Sequence, residues 1–173
     1  MRNKIDKEKG MKVKRRKHTI NVVELLKDGS ILRELIKEYQ KNRSEETGYP
    51  MLACLRDSVL WIPTTAVLSK RDSFGIPDNR KVREKVVNGD PVVFRPAIVR
   101  TFHGEAWLPL LTSPDQGDKS KQSVSYVPAS ALECLSIAHS CDVQGLCLDP
   151  YTLGLALPFE LADIIRDIPS NIE

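Results

Sequence analysis

No run of apolar residues in this chain approaches the ~18 that a membrane-spanning helix needs. No apolar stretch follows the basic N-terminus either, which argues against a secretory signal peptide. Cysteine is scarce, and Cys54, Cys134, Cys141 and Cys147 show no tight pairing pattern. Without a signal peptide they read as reduced thiols in a cytoplasmic protein. The chain has no Walker motif, GxGxxG or HExxH, and nothing that resembles a nucleophile elbow or an oxyanion-donor loop. Internal repeats and low-complexity segments are also missing. These absences remove the commonest signatures of nucleotide binding, zinc hydrolysis and acyl transfer.

What is present is ordinary for a folded domain. The 173 residues are 41% hydrophobic and 28% charged, long enough to bury a core without disulfides. Charge is unevenly placed. Residues 1–18 hold nine Lys and Arg against Asp6 and Glu8, a local charge of +7 in a chain of net +3, so the remainder carries −4. The division that follows is a basic, disordered tail over 1–18 and a single domain over 19–173. Such a tail could bind nucleic acid or an anionic membrane surface. It carries no aromatic residue to stack on bases, so a solvated leader is the preferred reading.

Residues 19–46 read as helical, with a stop and restart at Lys27-Asp28-Gly29-Ser30, where Ser30 is placed to cap the second piece. Ile31, Leu32, Leu35, Ile36 and Tyr39 then share one side. Gly48-Tyr49-Pro50 is read as a break, followed by a short helix ending near Asp57. Residues 59–62 read as a buried strand ended by Pro63. The polar stretch 69–90 reads as an insertion or mobile loop, with its basic residues interspersed with acids. Segments 96–102 and 105–111 form a hairpin about His103-Gly104. A turn or short capped helix starts at Thr112, and residues 115–123 read as loop. Residues 124–127 alternate as a strand ended by Pro128. Ser130 and Glu133 have capping-box spacing for a helix to about Ser140. Strands at 144–148 and 153–157 and a last helix over 158–167 complete the chain.

Between those last strands stands Asp149-Pro150. Proline pre-sets φ for a β-turn, and an Asp before it can accept a hydrogen bond from the backbone two residues on. Asp149 is therefore read as a turn former. In this order, "VLWIPTT", "AIVRTFHGEAWLPLLTSPDQ" and "VSYVPASALECLSIAHSCDVQGLCLDPYTLGLALPFELADII" resemble the SseB N-terminal-domain family of bacterial proteins. In that family the pieces look like a strand ending in Pro, a hairpin leading to a Thr-Ser turn, and a strand-helix-strand unit ending in Asn-Pro. Leu111-Thr112-Ser113 and Asp149-Pro150 occupy those places here, with Asp in place of Asn. The resemblance spans roughly 20–168, leaves out the tail, and brings no catalytic or site residues with it.

The remaining chemistry-bearing residues weigh towards structure. His139 with Cys134, Cys141 and Cys147 lacks the paired spacing of a zinc site. Cys134 lies beside an apolar helix stripe and Cys147 inside an apolar strand, where cysteine commonly acts as a small hydrophobe. A Cys-His pair would need His18, His103 or His139, of which the first lies in the tail and the second in a turn. Trp61 and Trp107 read as packed in the sheet, on faces the sequence leaves open. The expectation is an α+β domain: a mixed, largely antiparallel sheet of about five strands with helices packed against it. It names no catalytic, cofactor or metal residue and no cofactor. The function expected is that of a bacterial cytoplasmic binding module for another protein. The alternatives are weak, non-specific nucleic-acid binding through the tail and basic loop, and a thiol enzyme using Cys141 or Cys54.

Overall fold

The computed structural model describes residues 28–67, 83–87, 90–117 and 124–172. The basic tail and most of the 69–90 stretch lie outside them. Helices α1 (Ser30–Lys41) and α2 (Glu45–Asp57) lead into strand β1 (Val59–Val67). Then come β2 (Arg83–Val87), β3 (Asp90–Pro96), β4 (Val99–Arg100), β5 (Ala106–Leu110) and β6 (Ser125–Ser130). Helix α3 (Ala131–His139), strands β7 (Gly145–Leu148) and β8 (Leu155–Pro158) and the short helix α4 (Phe159–Ala162) follow, the last running into a 3-10 turn at Asp163–Arg166.

The described strands form two four-stranded sheets, ordered β2-β3-β1-β6 and β4-β5-β7-β8. A reciprocal pair of main-chain bonds between Trp61 and Leu111, both 2.9 Å, joins them. Every strand pair is antiparallel except β5 with β7. This is the expected α+β class, with eight described strands instead of about five. One face of the joined sheets carries Leu60, Ile62, Leu108, Leu110, Leu146, Leu148 and Leu157 into the core. Against it pack Leu32 and Ile36 of α1, Met51, Leu52 and Leu55 of α2, Cys134 and Leu135 of α3, and Ile165. Burying each such aliphatic side chain is worth roughly 1.5–3 kcal/mol, which is what holds the two layers together.

Several boundaries differ from expectation, each for a local reason. Gly48-Tyr49-Pro50 does not break a helix; α2 runs through it. Gly48 is buried against the Tyr39 ring, where a Cβ would stand 3.3 Å away, so this glycine serves packing between α1 and α2. The true break comes at Asn42–Ser44, with Ser44 as N-cap of α2. Ser30 is not a cap but the first helical residue: Gly29, at φ 71, is the N-cap, and the Ser30 N–H donates to Asp28 Oδ1 at 2.7 Å.

Neither Pro63 nor Pro128 ends its strand. The Trp61 N–H and carbonyl both point to Leu111, so by strand alternation Pro63 faces the same edge, where its carbonyl accepts the Ala97 N–H at 2.8 Å. Its missing N–H thus falls where β1 changes partner from Leu111 to β3. Pro128 opposes Trp61 across the ladder, so its ring nitrogen faces the outer side of edge strand β6.

The stretch 69–90 is not all loop. Residues 83–87 form β2, paired with β3 from Val87↔Asp90 onward. The two residues between them are Asn-Gly, the pair that two-residue hairpins favour. The hairpin around His103 is present with a three-residue loop: the Thr101 N–H donates to the Glu105 carbonyl at 2.9 Å, and Gly104 takes φ 85.

The Ser130–Glu133 capping box forms as expected. The Ser130 N–H donates to Glu133 Oε2 at 2.8 Å, and the Glu133 N–H returns to Ser130 Oγ at 3.3 Å.

Candidate functional site

Two features of the domain concentrate polar or exposed chemistry. The first is a buried relay centred on Asp149. Its side chain does not close its own turn, as the sequence reading had it. It reaches Thr112, 37 residues away, which donates its N–H to Oδ1 at 2.8 Å and its hydroxyl to Oδ2 at 2.7 Å. Arg33 Nη1 then donates to Thr112 Oγ1 at 3.0 Å, with further donations to the Asp28 carbonyl and Ser113 Oγ. Asp149 and Thr112 are both fully buried.

The backbone of Asp149 does form the turn. At φ 45 it is left-handed, and its carbonyl accepts the N–H groups of Thr152, Leu153 and Gly154 at 2.8–3.0 Å. Burial pushes the Asp149 carboxyl above the usual carboxylate range, against the lowering pull of the two Thr112 donors and of Arg33. The arrangement is a lock between α1 and the sheet. Its inner end, Asp149 and Thr112, is closed to solvent, while Arg33 and Ser113 at its outer end are half-buried.

The second feature is an apolar groove of about 370 Å³ between the end of α1, the start of α2 and the chain from Leu157 to Ile164. Met51, Leu52 and Leu157 form its buried floor, and Tyr39, Leu161 and Ile164 its walls. Tyr49 is 55% exposed and Ile164 40% exposed. At the rim stand Arg43 and Glu45, both exposed. Sequence reasoning placed Tyr39 on the buried side of α1 and put Tyr49 in a break. It had no means of seeing that three separate segments converge. The available signal was Tyr39 at the end of an apolar stripe, ten residues before a second tyrosine.

The residues weighed as chemical candidates are dispersed. Burial pushes the thiols of Cys134 and Cys147 up to about 12 and about 11, with the Asp149 charge adding to the shift at Cys147. Burial raises Cys54 as well, partly opposed by its hydrogen bond with Ser58 Oγ. Among the described residues no three His, Cys, Asp or Glu side chains stand where they could hold a metal ion. His103 is exposed at the hairpin tip against Phe102, and His18 lies outside the described residues.

His139 is the better-organised histidine. Its Nε2 lies 2.8 Å from Asp163 Oδ1, and its ring stacks on Phe159 with centroids 4.1 Å apart. That hydrogen bond is the largest influence holding the Asp163 carboxyl below the usual range. Trp107 is buried and Trp61 half-buried, and neither indole N–H has a hydrogen-bond partner.

The family model for the SseB protein N-terminal domain matches residues 32–161. The match covers most of the chain, and the chain belongs to that family. No curated protein and no solved structure matches it. Among the described residues no helix is long and apolar enough to cross a membrane.

Proposed function

We propose that this SseB N-terminal domain is a non-catalytic bacterial module of the cytoplasm that works by binding protein, with its docking surface at the groove between α1, α2 and α4. One observation carries the reading. Of the five large hydrophobic side chains most exposed on the described surface, Tyr49 and Ile164 flank the same apolar recess. Single exposed hydrophobics are common and need no explanation, but clustered ones around a concave apolar floor mark an interaction site. Aromatic anchors in desolvated pockets carry most of the energy of protein interfaces. The raised thiols of Cys54, Cys134 and Cys147 add support, because a reactive cysteine needs its thiolate favoured.

The test is positional. A photo-crosslinking residue placed at Tyr49 should capture a protein partner in the source cell, while the same residue at Phe102, which is fully exposed on the hairpin tip, should not. Equal capture from both positions, or none from Tyr49, would reject the groove as the docking surface.

A second reading rests on the charge asymmetry of the sequence, +7 in residues 1–18 against −4 in the rest. It gives the chain a weak, sequence-indifferent affinity for polyanions through its tail. The two readings use different parts of the chain and are separable by truncation.

A further inference from the structure

The groove has a recess and a largely exposed aromatic ring, Tyr49, at its edge, and its rim carries both signs of charge. We propose that its occupant is a second copy of this chain, held about a twofold axis with each Tyr49 packed into the recess of the other molecule. The inference rests on the groove being a protein-docking surface and names the partner.

In a twofold contact the same patch meets itself, so residue i of one copy faces residue j of the other, and j faces i. Such a patch must contain its own complement. Tyr49 supplies the knob, and Met51, Leu52, Leu157 and Leu161 supply the hole. Arg43 and Glu45 supply the charge match. They sit two residues apart on the rim, and among the described residues neither side chain has an ion pair or hydrogen-bond partner. Across a twofold axis near Ser44, each Arg43 meets the other copy's Glu45. A partner of one dominant charge would be poorly served by this rim, since one of the two groups would always oppose it. Beside Ile164, Asp163 is engaged by His139 and Arg166, while Lys41 and Glu46, exposed on either side of Arg43 and Glu45, add one further charge of each sign.

Exposed ion pairs add little affinity, but they set register and exclude wrong orientations. The apolar centre should therefore control how tightly the copies bind, and the rim should control which way they face. Stable interfaces bury about 800 Å² per partner. A contact centred on a recess of this size should be dissociable, with a concentration-dependent mass.

Sedimentation velocity on the full chain across a wide concentration range tests this. The parent should pass from monomer to dimer mass. Ile164→Asp should raise the dimer dissociation constant at least tenfold, with an unchanged far-UV spectrum and cooperative melting as proof of folding. Arg43→Glu should also weaken the dimer, and adding Glu45→Arg in the same chain should restore it.

Three results would overturn the proposal: a monomer at every concentration, a dimer indifferent to Ile164→Asp, or a double swap no tighter than the single one. If the parent stays monomeric while residue 49 still crosslinks to a different protein, self-association fails and the docking reading stands. If the dimer forms with the expected swap pattern and nothing else is captured, both stand with the copy as the partner.

Discussion

Replacing Thr112 by Val should destabilise the domain far more than replacing it by Ser. The Thr112 hydroxyl does two jobs at once: it donates to Asp149 Oδ2 at 2.7 Å and accepts from Arg33 Nη1 at 3.0 Å. Valine keeps the shape and removes both. The Thr112 N–H stays with Oδ1, so the carboxylate loses one of its two donors and not its whole shell. Hydrogen bonds to charged groups are worth about 1.5–3 kcal/mol, and stranding a buried charge costs more. The expected loss is about 2–4 kcal/mol. Serine keeps the hydroxyl and gives up a methyl group, for about 1 kcal/mol. Against a total stability of roughly 5–15 kcal/mol, urea titration resolves these two values, provided the m-values agree.

The pH dependence supplies a second, independent reading of the same bond. Burial raises the Asp149 pKa above its unfolded value. Between the two values the folded chain therefore holds the proton more often than the unfolded chain does. Stability from this group grows as pH falls through the folded pKa and is lost as pH rises through it. Removing the Thr112 hydroxyl takes away a lowering influence and raises the folded pKa further. The Val penalty should thus be largest at neutral pH and shrink as pH falls towards the ordinary carboxylate value of about 3.9. A Val variant within 1 kcal/mol of the Ser variant at neutral pH, or a penalty that grows on acidification, would refute the relay.

Asp149→Asn should change stability by less than about 1 kcal/mol, because an amide keeps an acceptor for the Thr112 N–H, donates to Thr112 Oγ1 and tolerates a left-handed backbone. Asp149→Leu strands both Thr112 donors at that same φ and should cost at least about 3 kcal/mol in the same urea assay. Gly29→Ala drives a Cβ into the Thr112 carbonyl oxygen at φ 71, so calorimetry should show a clear drop in melting temperature, about 2 kcal/mol or more. Cys147, buried with its thiol at about 11, should react with a thiol reagent more slowly in the native state than half-exposed Cys141; mass mapping of labelled peptides reads the order. Deleting residues 1–18 should leave the melting temperature unchanged and abolish duplex-DNA binding. In the full chain that binding should have a log–log salt slope near −5 if about six phosphates are neutralised.

The parts of the fold that sequence makes visible are those fixed by neighbours along the chain. The Ser130–Glu133 cap, the hairpin at Gly104, the strand at 145–148 and the start of the last helix after Pro158 all depend on contacts within a few residues. Prolines and glycines misled wherever tertiary context supplied what they lack. Pro63 and Pro128 read as strand ends because a missing N–H is visible in sequence, whereas the edge it points to is not. Gly48 reads as a breaker because the Tyr39 ring that needs the space is nine residues away. Asp149 was correctly placed in a turn and wrongly credited with its side-chain bond, whose partner is 37 residues off. The groove was illegible for the same reason, since its lining comes from residues 39–52 and 157–164.

Those long-range contacts are also what connect the lock to the groove. The Asp149 side chain holds Thr112, and Thr112 takes Arg33 near the start of α1. The Asp149 carbonyl organises the turn to Gly154, and the Leu153 carbonyl in that turn accepts Gln40 Nε2 at 2.9 Å near the end of α1. One residue thereby fixes α1 at both ends, through its side chain at one and its main chain at the other. Tyr39 stands beside Gln40, and Arg43 comes two residues after the helix ends at Lys41, so the groove wall and half of its charged rim are set by the same two tethers. A short polar residue that tolerates a left-handed φ and offers an acceptor is the chemistry this junction requires. Asn meets that need, and Asp meets it with a charge that Arg33 balances through Thr112.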